Sequence, residues 1–168
     1  RFESSGSGIF AQRRIGKNEK LFTCYKLRTM HQGTKSVPSH ELSTSAVTKT
    51  GRYLRSTKLD ELTQLWNIFW GDMSFVGPRP PLRRYVEKFP ELYGEVLKAR
   101  PGITGLASLR YHKHEERLLA GCDSAEETED IYCRACVPRK AHLDILYRDN
   151  RNICWDFAIM YRTVFKTR

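Results

Sequence analysis

Asp60 and Glu61 stand side by side in STKLDELTQLWNIFWGDMSFVGPRPPL, residues 56–82 of a 168-residue chain whose formal net charge is +10. Arg52, Arg55 and Lys58 precede the pair, and Arg79 and Arg83 follow it. Carboxylates among cations suit a phosphorylated substrate. The cations bind phosphate oxygens, and a carboxylate either holds Mg²⁺ or attacks phosphorus to form an acyl phosphate. A neighbouring carboxylate can then act as base for the next acceptor. The plain alternative is structural: acidic side chains in a helix's first turn stabilise its dipole by about 0.3–1 kcal/mol. Successive helical residues diverge by about 100°, so the two cannot enter one packed interface together, yet both can border a cleft at a helix end.

The elements around the pair follow from periodicity and punctuation. From Thr57 onward, Leu59, Leu62, Trp66 and Phe69 recur at helical spacing; Ser56 or Thr57 can cap the start, and Gly71 ends the run. Upstream, the apolar runs 9–12 and 21–27 flank the turn signal Gly16-Lys17-Asn18 and predict a β-hairpin. Residues 31–50 are rich in Ser and Thr, lack either periodicity, and predict a loop. Downstream, Phe89, Leu92, Tyr93, Val96 and Leu97 predict a helix with Pro90 in its first turn and a stop before Pro101 and Gly102. The acidic patch at 115–130 reads as a solvated helix face or loop, and the tail NICWDFAIMYRTVFK as a core or interfacial helix. No repeat or low-complexity linker marks a boundary. The expected fold is therefore α+β, a predominantly helical single domain over residues 1–168 with a small N-terminal β-hairpin and amphipathic interfacial helices.

Composition narrows the partners. An apolar content of 40% supports a core, since a chain of this size buries roughly 70% of its extended surface. The excess of 29 Lys and Arg over 19 Asp and Glu predicts attraction to a polyanion: nucleic acid, an anionic membrane or a phosphorylated substrate. No segment approaches the ~20 apolar residues of a transmembrane helix, and RFESSGSGIFAQRRIG is not a signal peptide, so a chain neither secreted nor spanning is expected. The odd set Cys24, Cys122, Cys133, Cys136 and Cys154 favours reduced thiols in a cytosolic setting.

Three motifs in order, FAQRRIGKNEKLFTCYKLRTM, GRYLRSTKLDELTQLWNIFWGDMSFVGPRP and RPGITGLASL, closely resemble the bacterial sugar transferases, the monotopic polyprenyl-phosphate phosphoglycosyl transferases. The likeness covers about residues 9–110 and loosens toward the C-terminus. It implies transfer of a sugar-1-phosphate from a UDP-sugar to undecaprenyl phosphate, with release of UMP, on the cytoplasmic face of a bacterial inner membrane. That reaction is the first membrane step in assembling an exopolysaccharide, capsule, O-antigen or glycoprotein.

By matching position, the resemblance makes Asp60 the nucleophile that carries an aspartyl-phosphosugar and a ligand of the cofactor Mg²⁺, and Glu61 its partner in a catalytic dyad. A first-turn position and Arg55 are expected to favour the ionised Asp60. Arg55 and Lys26 match basic residues that face phosphate, and Gly77, Pro78, Arg79 and Pro80 match the segment beside the nucleotide. The implied partners are a UDP-sugar, undecaprenyl phosphate and the anionic inner-membrane surface, with a homodimer as one assembly to test.

Two features depart from the family pattern. Thr63 stands where the family usually has proline, as DELTQ for DELPQ. The family also begins with an apolar membrane-inserting helix, and this sequence starts just after where that helix would end, so the chain alone is expected to be soluble or weakly membrane-associated. Trp66, Phe69, Trp70 and the tail are candidates for the membrane interface. Trp66 shares the stripe of Leu59 and Leu62 and equally suits a core.

Two rival readings start from other residues. Cys133-x-x-Cys136 with Cys122 and His112 or His114 supplies four zinc-type ligands, although a lone C-x-x-C is a weak signal. A non-catalytic basic module binding membrane or nucleic acid is the alternative if Asp60 is dispensable. Nucleic acid itself is not expected, because no RNP, zinc-finger or helix-turn-helix signature occurs and the basic residues are interspersed with acidic ones.

Overall fold

The structure, a computed structural model, describes residues 6–31 and 46–165. The predicted hairpin is present: β1 (Ile9–Ile15) runs antiparallel to β2 (Leu21–Leu27), with Phe10 opposite Lys26, Gln12 opposite Cys24 and Arg14 opposite Phe22. Asn18 turns the chain at φ 54°, a left-handed conformation that asparagine tolerates better than most residues. Part of the predicted loop, residues 32–45, lies outside the described residues. Its remainder is more ordered than expected: Met30 bridges Val47, and α1 (Lys49–Ser56) begins where a loop was predicted. Thr48 caps that helix, its Oγ1 accepting from the Gly51 amide at 2.9 Å.

The single helix predicted from Thr57 is replaced by two shorter pieces. Thr57 closes α1 instead of opening a helix, and Lys58 adopts φ 57°, which breaks the run. A 3-10 turn over Leu59–Gln64 follows, and α2 (Leu65–Phe69) completes the segment, ending at Gly71 with φ 82° as the sequence indicated. The apolar periodicity is real but faces outward. Leu59, Leu62, Trp66 and Phe69 are exposed, whereas Asp60, Gln64 and Asn67 are buried against β2. Trp66 is therefore not a core residue.

Asn67 explains the inversion in part. Its Nδ2 donates to the Thr23 carbonyl at 2.7 Å, and its Oδ1 accepts from the Tyr25 amide at 3.2 Å, so a side chain serves the backbone edge of β2.

Beyond Gly71, β3 (Ser74–Val76) pairs in parallel with β4 (Gly102–Thr104) across the crossover helices α3 (Arg83–Lys88) and α4 (Pro90–Val96). Glycine is required where these strands meet. A Cβ on Gly102 would collide with the Gly77 amide nitrogen, and one on Gly105 with the Gly77 carbonyl oxygen. Four helices finish the chain: α5 (Leu106–Leu119), α6 (Ala125–Ile131), α7 (Val137–Asn150) and α8 (Ile153–Phe165), with a π-helical turn at Tyr132–Cys136 between α6 and α7. Phe22, Cys24 and Met73 form a buried cluster under the hairpin, and Val76, Tyr147 and Ile159 another under the C-terminal helices. This is the expected predominantly helical α+β fold with a small N-terminal hairpin.

Two readings of the C-terminal half change. The acidic patch is not uniformly solvated, because Glu115 pairs with Lys140 at 2.8 Å and Glu129 accepts from Arg84 at 3.2 Å and Tyr85 at 2.9 Å. Cys133 and Cys136 are buried in the π turn, and all five cysteines are free thiols. No three His, Cys, Asp or Glu side chains converge as a metal site among the described residues, so the zinc reading gains no geometry. No helix among them is long and apolar enough to cross a membrane.

Candidate active site

The hairpin supplies one wall. In a strand, alternate residues share a face and directly opposed cross-strand residues lie on the same side. The register of β1 and β2 accordingly brings Gln12, Arg14, Cys24 and Lys26 onto one face, against the 3-10 turn that carries Asp60 and Glu61. The turn after β3 supplies the other wall. Arg14 Nη1 donates to the Pro80 carbonyl at 3.1 Å, and the Ile15 amide to that of Pro81 at 3.3 Å, which fixes the Gly77-Pro78-Arg79-Pro80 segment against the hairpin.

Glu61 sits at the centre of the cations. Lys26 Nζ lies 2.8 Å from Glu61 Oε1, and Arg79 Nη1 lies 3.7 Å from the same oxygen. These residues, with Arg14, Cys24, Gln64, Pro80, Gly102 and Ile103, line a shallow, solvent-open cleft. Three cations facing one carboxylate leave the cleft with an excess of positive charge.

The acidic pair divides by environment. Burial raises the Asp60 carboxyl above its ordinary range and the neighbouring Glu61 charge adds to this, while Lys26 and Arg55 offset only part. Glu61 moves the other way. Burial alone would raise it, but Arg79 and Lys26 together outweigh that and hold it below its ordinary value. The pair does stand in a first turn, that of the 3-10 helix Leu59–Gln64, but the expectation that this position would favour the ionised Asp60 is not met, because burial dominates. Burial and Arg79 also lower the Lys26 ammonium despite Glu61, and they lower the Arg14 guanidinium to about 10.

The sequence-derived residues thus fall into groups. Lys26, Glu61, Arg79 and Pro80 line the cleft. Asp60 is buried beside it on the same turn but does not line it, and among the described residues its carboxylate makes no salt bridge. Arg55 donates to Thr29 Oγ1 at 2.9 Å while its charge reaches Asp60. Gly77 and Pro78 are buried in the strand junction and shape the turn. Arg14, Cys24 and Gln64 were missed. Placing the hairpin in register with Lys26 would have found the first two, whereas the inward turn of Gln64 left no mark on the sequence.

As to Mg²⁺, the cation typically takes one or two protein carboxylates and completes its shell with substrate phosphates and water. Asp60, desolvated and without a salt bridge among the described residues, fits that mode; Glu61 is committed to Lys26 and Arg79.

The family model described as "Bacterial sugar transferase" matches residues 1–168. The chain is 39% identical over 179 residues to a Haemophilus influenzae protein named "Uncharacterized sugar transferase", covering 96% of this chain and 34% of that protein. It is 35% identical over 170 residues to a UDP-glucose:undecaprenyl-phosphate glucose-1-phosphate transferase of Caulobacter vibrioides, covering 98% of this chain and 58% of the relative. Over 118 residues it is 36% identical to an undecaprenyl-phosphate galactose phosphotransferase of Salmonella typhimurium, covering 60% of this chain and 25% of that enzyme. The chain belongs to the bacterial sugar transferase family, and it spans between a quarter and about three-fifths of the length of these relatives.

Proposed function

We propose that this chain is the catalytic region of a phosphoglycosyl transferase that moves a sugar-1-phosphate from a UDP-sugar to undecaprenyl phosphate and releases UMP. The observation that carries the reading is the division of the acidic pair: Glu61 is locked to Lys26 and Arg79 in a cationic cleft, and Asp60 is buried beside it without a salt bridge among the described residues. Family membership and the relatives' names support the substrate class. Those names include both glucose and galactose.

In this mechanism the diphosphate lies across Lys26, Arg79 and Arg14, which neutralise its oxygens and leave phosphorus open to attack. The Asp60 carboxylate attacks the sugar-bearing phosphorus. The bond from that phosphorus to the bridging oxygen breaks, and the oxygen leaves with UMP. An oxygen of undecaprenyl phosphate then attacks the acyl phosphate, and the Asp60 carboxylate is released. Glu61, held below its ordinary range, is a weak base at neutral pH, and its role is to orient Lys26 and Arg79. Asp60 would hold Mg²⁺, which when bound would supply charge neutralisation at the transferring group.

The lipid acceptor requires a membrane surface. The outward apolar face of residues 59–70, the exposed Phe157, Tyr161 and Phe165 of α8, and the net charge of +10 together suit the anionic cytoplasmic face of an inner membrane. The test is intact-protein mass spectrometry after incubation with UDP-glucose or UDP-galactose and Mg²⁺ but no lipid acceptor. A phosphosugar adduct that Asp60→Asn abolishes is expected. An adduct that persists in that variant, or that maps to Glu61, contradicts the assignment.

A further inference from the structure

Two side-chain amides are buried one after the other in the segment after Asp60, and they are used differently. Asn67, 1% exposed, is bonded to the backbone of β2 through both ends of its amide. Gln64, 2% exposed, has no hydrogen-bond partner at Nε2 among the described residues, although it lines the cleft with Arg14, Lys26, Glu61 and Arg79. A buried donor left without an acceptor is costly, so native structures rarely keep one unless something else completes it. The side chains around Gln64 do not suit that task. Among the side chains that line the cleft, Arg14, Lys26 and Arg79 are donors only, Cys24 offers a weak sulfur acceptor, and Glu61 is drawn through Oε1 to Lys26 and Arg79. What the cleft collects by its charge is an anion rich in acceptor oxygens.

We infer that Gln64 is a substrate-binding residue whose Nε2 donates a hydrogen bond to a phosphoryl oxygen of the diphosphate bound between the hairpin and the Arg79 turn. The inference rests on the reading of this cleft as the phosphate site of a nucleotide-sugar transferase, and it adds a neutral donor to its cations. A neutral amide contributes direction where the ammonium and guanidinium groups contribute charge. It selects which oxygen faces the floor of the cleft and so which face of phosphorus remains open. The cost of keeping the donor unpaired falls on the ligand-free protein and is relieved only when an acceptor binds. The same residue therefore weakens the fold slightly and strengthens binding.

That pairing of effects is the test. UDP and inorganic diphosphate are titrated calorimetrically into the chain, its Gln64→Met and Gln64→Glu variants, and Arg79→Ala, in Mg²⁺ buffer, with thermal melts of each protein. Gln64→Met keeps the side chain's length and removes the orphaned donor. It should melt no lower than wild type while weakening both ligands about tenfold. Gln64→Glu, which can pair with the surrounding cations and so keeps the fold, should weaken them at least as much.

Wild-type affinity for UDP in either Gln64 variant overturns the inference, as does a lower melting temperature in Gln64→Met with affinity intact, the signature of a purely structural amide. Weakening of UDP but not of diphosphate moves the contact to the nucleoside and overturns the phosphoryl assignment. Arg79→Ala separates the two levels. If it loses affinity while the Gln64 variants do not, Gln64 alone is misassigned; if wild type binds neither ligand, or Arg79→Ala binds both normally, the reading of the cleft falls with it.

Discussion

At the scale of single residues, the site separates charge that is shared from charge that is isolated. Arg55 and Arg13 make the contrast testable. Arg55 is fixed by Thr29 and its positive charge reaches the buried Asp60, whereas Arg13 points to the outer face of β1. Arg55→Ala should lower kcat/KM by about tenfold or more, the loss expected for one charge-assisted contact near the reacting group. Arg13→Ala should stay within about twofold of wild type, and equal losses would remove any special role for Arg55.

Thr63 tests the sequence's departure from its family. Its Oγ1 is buried with no partner among the described residues, at the position where the family usually has proline. Thr63→Val keeps the β-branched shape and removes the hydroxyl, so it should stabilise by about 1 kcal/mol. That corresponds to roughly 2–4 °C in Tm for a chain of this size, measured by differential scanning calorimetry. A fall in Tm would show that the hydroxyl is satisfied in solution.

At the scale of elements, the two-stranded parallel sheet is the hinge between fold and chemistry. Gly77 and Gly102 approach so closely that the backbone of one occupies the space a side chain on the other would need, and the turn carrying Arg79 follows directly. Gly102→Ala should cost about 2–3 kcal/mol in denaturant unfolding. Transferase activity should fall further than stability accounts for, because Arg79 is displaced from Glu61.

The junction of α5 and α7 predicts a pH effect. Asp144 is buried there, accepting from the Ala107 amide near the start of α5, and burial raises its carboxyl from 3.8 to about 7, with Lys140 offsetting only part. A folded-state pKa above the unfolded one means that the folded protein favours the protonated acid. Its contribution is complete below 3.8 and is lost as pH rises through about 7. Asp144→Asn can still accept from Ala107 but never ionises. Its stability advantage over wild type should grow between pH 3.8 and about 7 and level off above that, at about 2–4 kcal/mol. A constant difference across that range would mean that Asp144 titrates normally.

At the scale of the whole molecule, the exposed apolar side chains gather on the segment that carries the site and on α8, in a protein of net charge +10. Vesicles containing phosphatidylglycerol should bind the chain, and added salt should weaken binding, since surface attraction is screened within about 10 Å at 0.1 M. Replacing Trp66, Phe69 and Trp70 together by Ser should reduce vesicle binding at least about tenfold with little change in Tm, because each side chain is already exposed. A large drop in Tm would show instead that the patch is packed in solution.

The sequence alone determined the hairpin, the helix carrying Pro90, the stop at Gly71 and the family, because each rests on local chemistry: turn residues, proline's fixed φ, glycine's access to positive φ, and motifs in order. It also placed Asp60, Glu61, Lys26 and Arg79 in one list of candidates. What it could not decide is which way residues 59–69 face. A helical apolar stripe has the same period whether it meets a core or an interface, and only the docking of Asn67 on β2 turned the polar face inward and the tryptophans out. That same rotation buried Asp60 and Gln64 and delivered Glu61 to Lys26 across 35 positions of sequence. The difference between two adjacent carboxylates, one raised by burial and one lowered by its cations, comes from tertiary neighbours that no local pattern records.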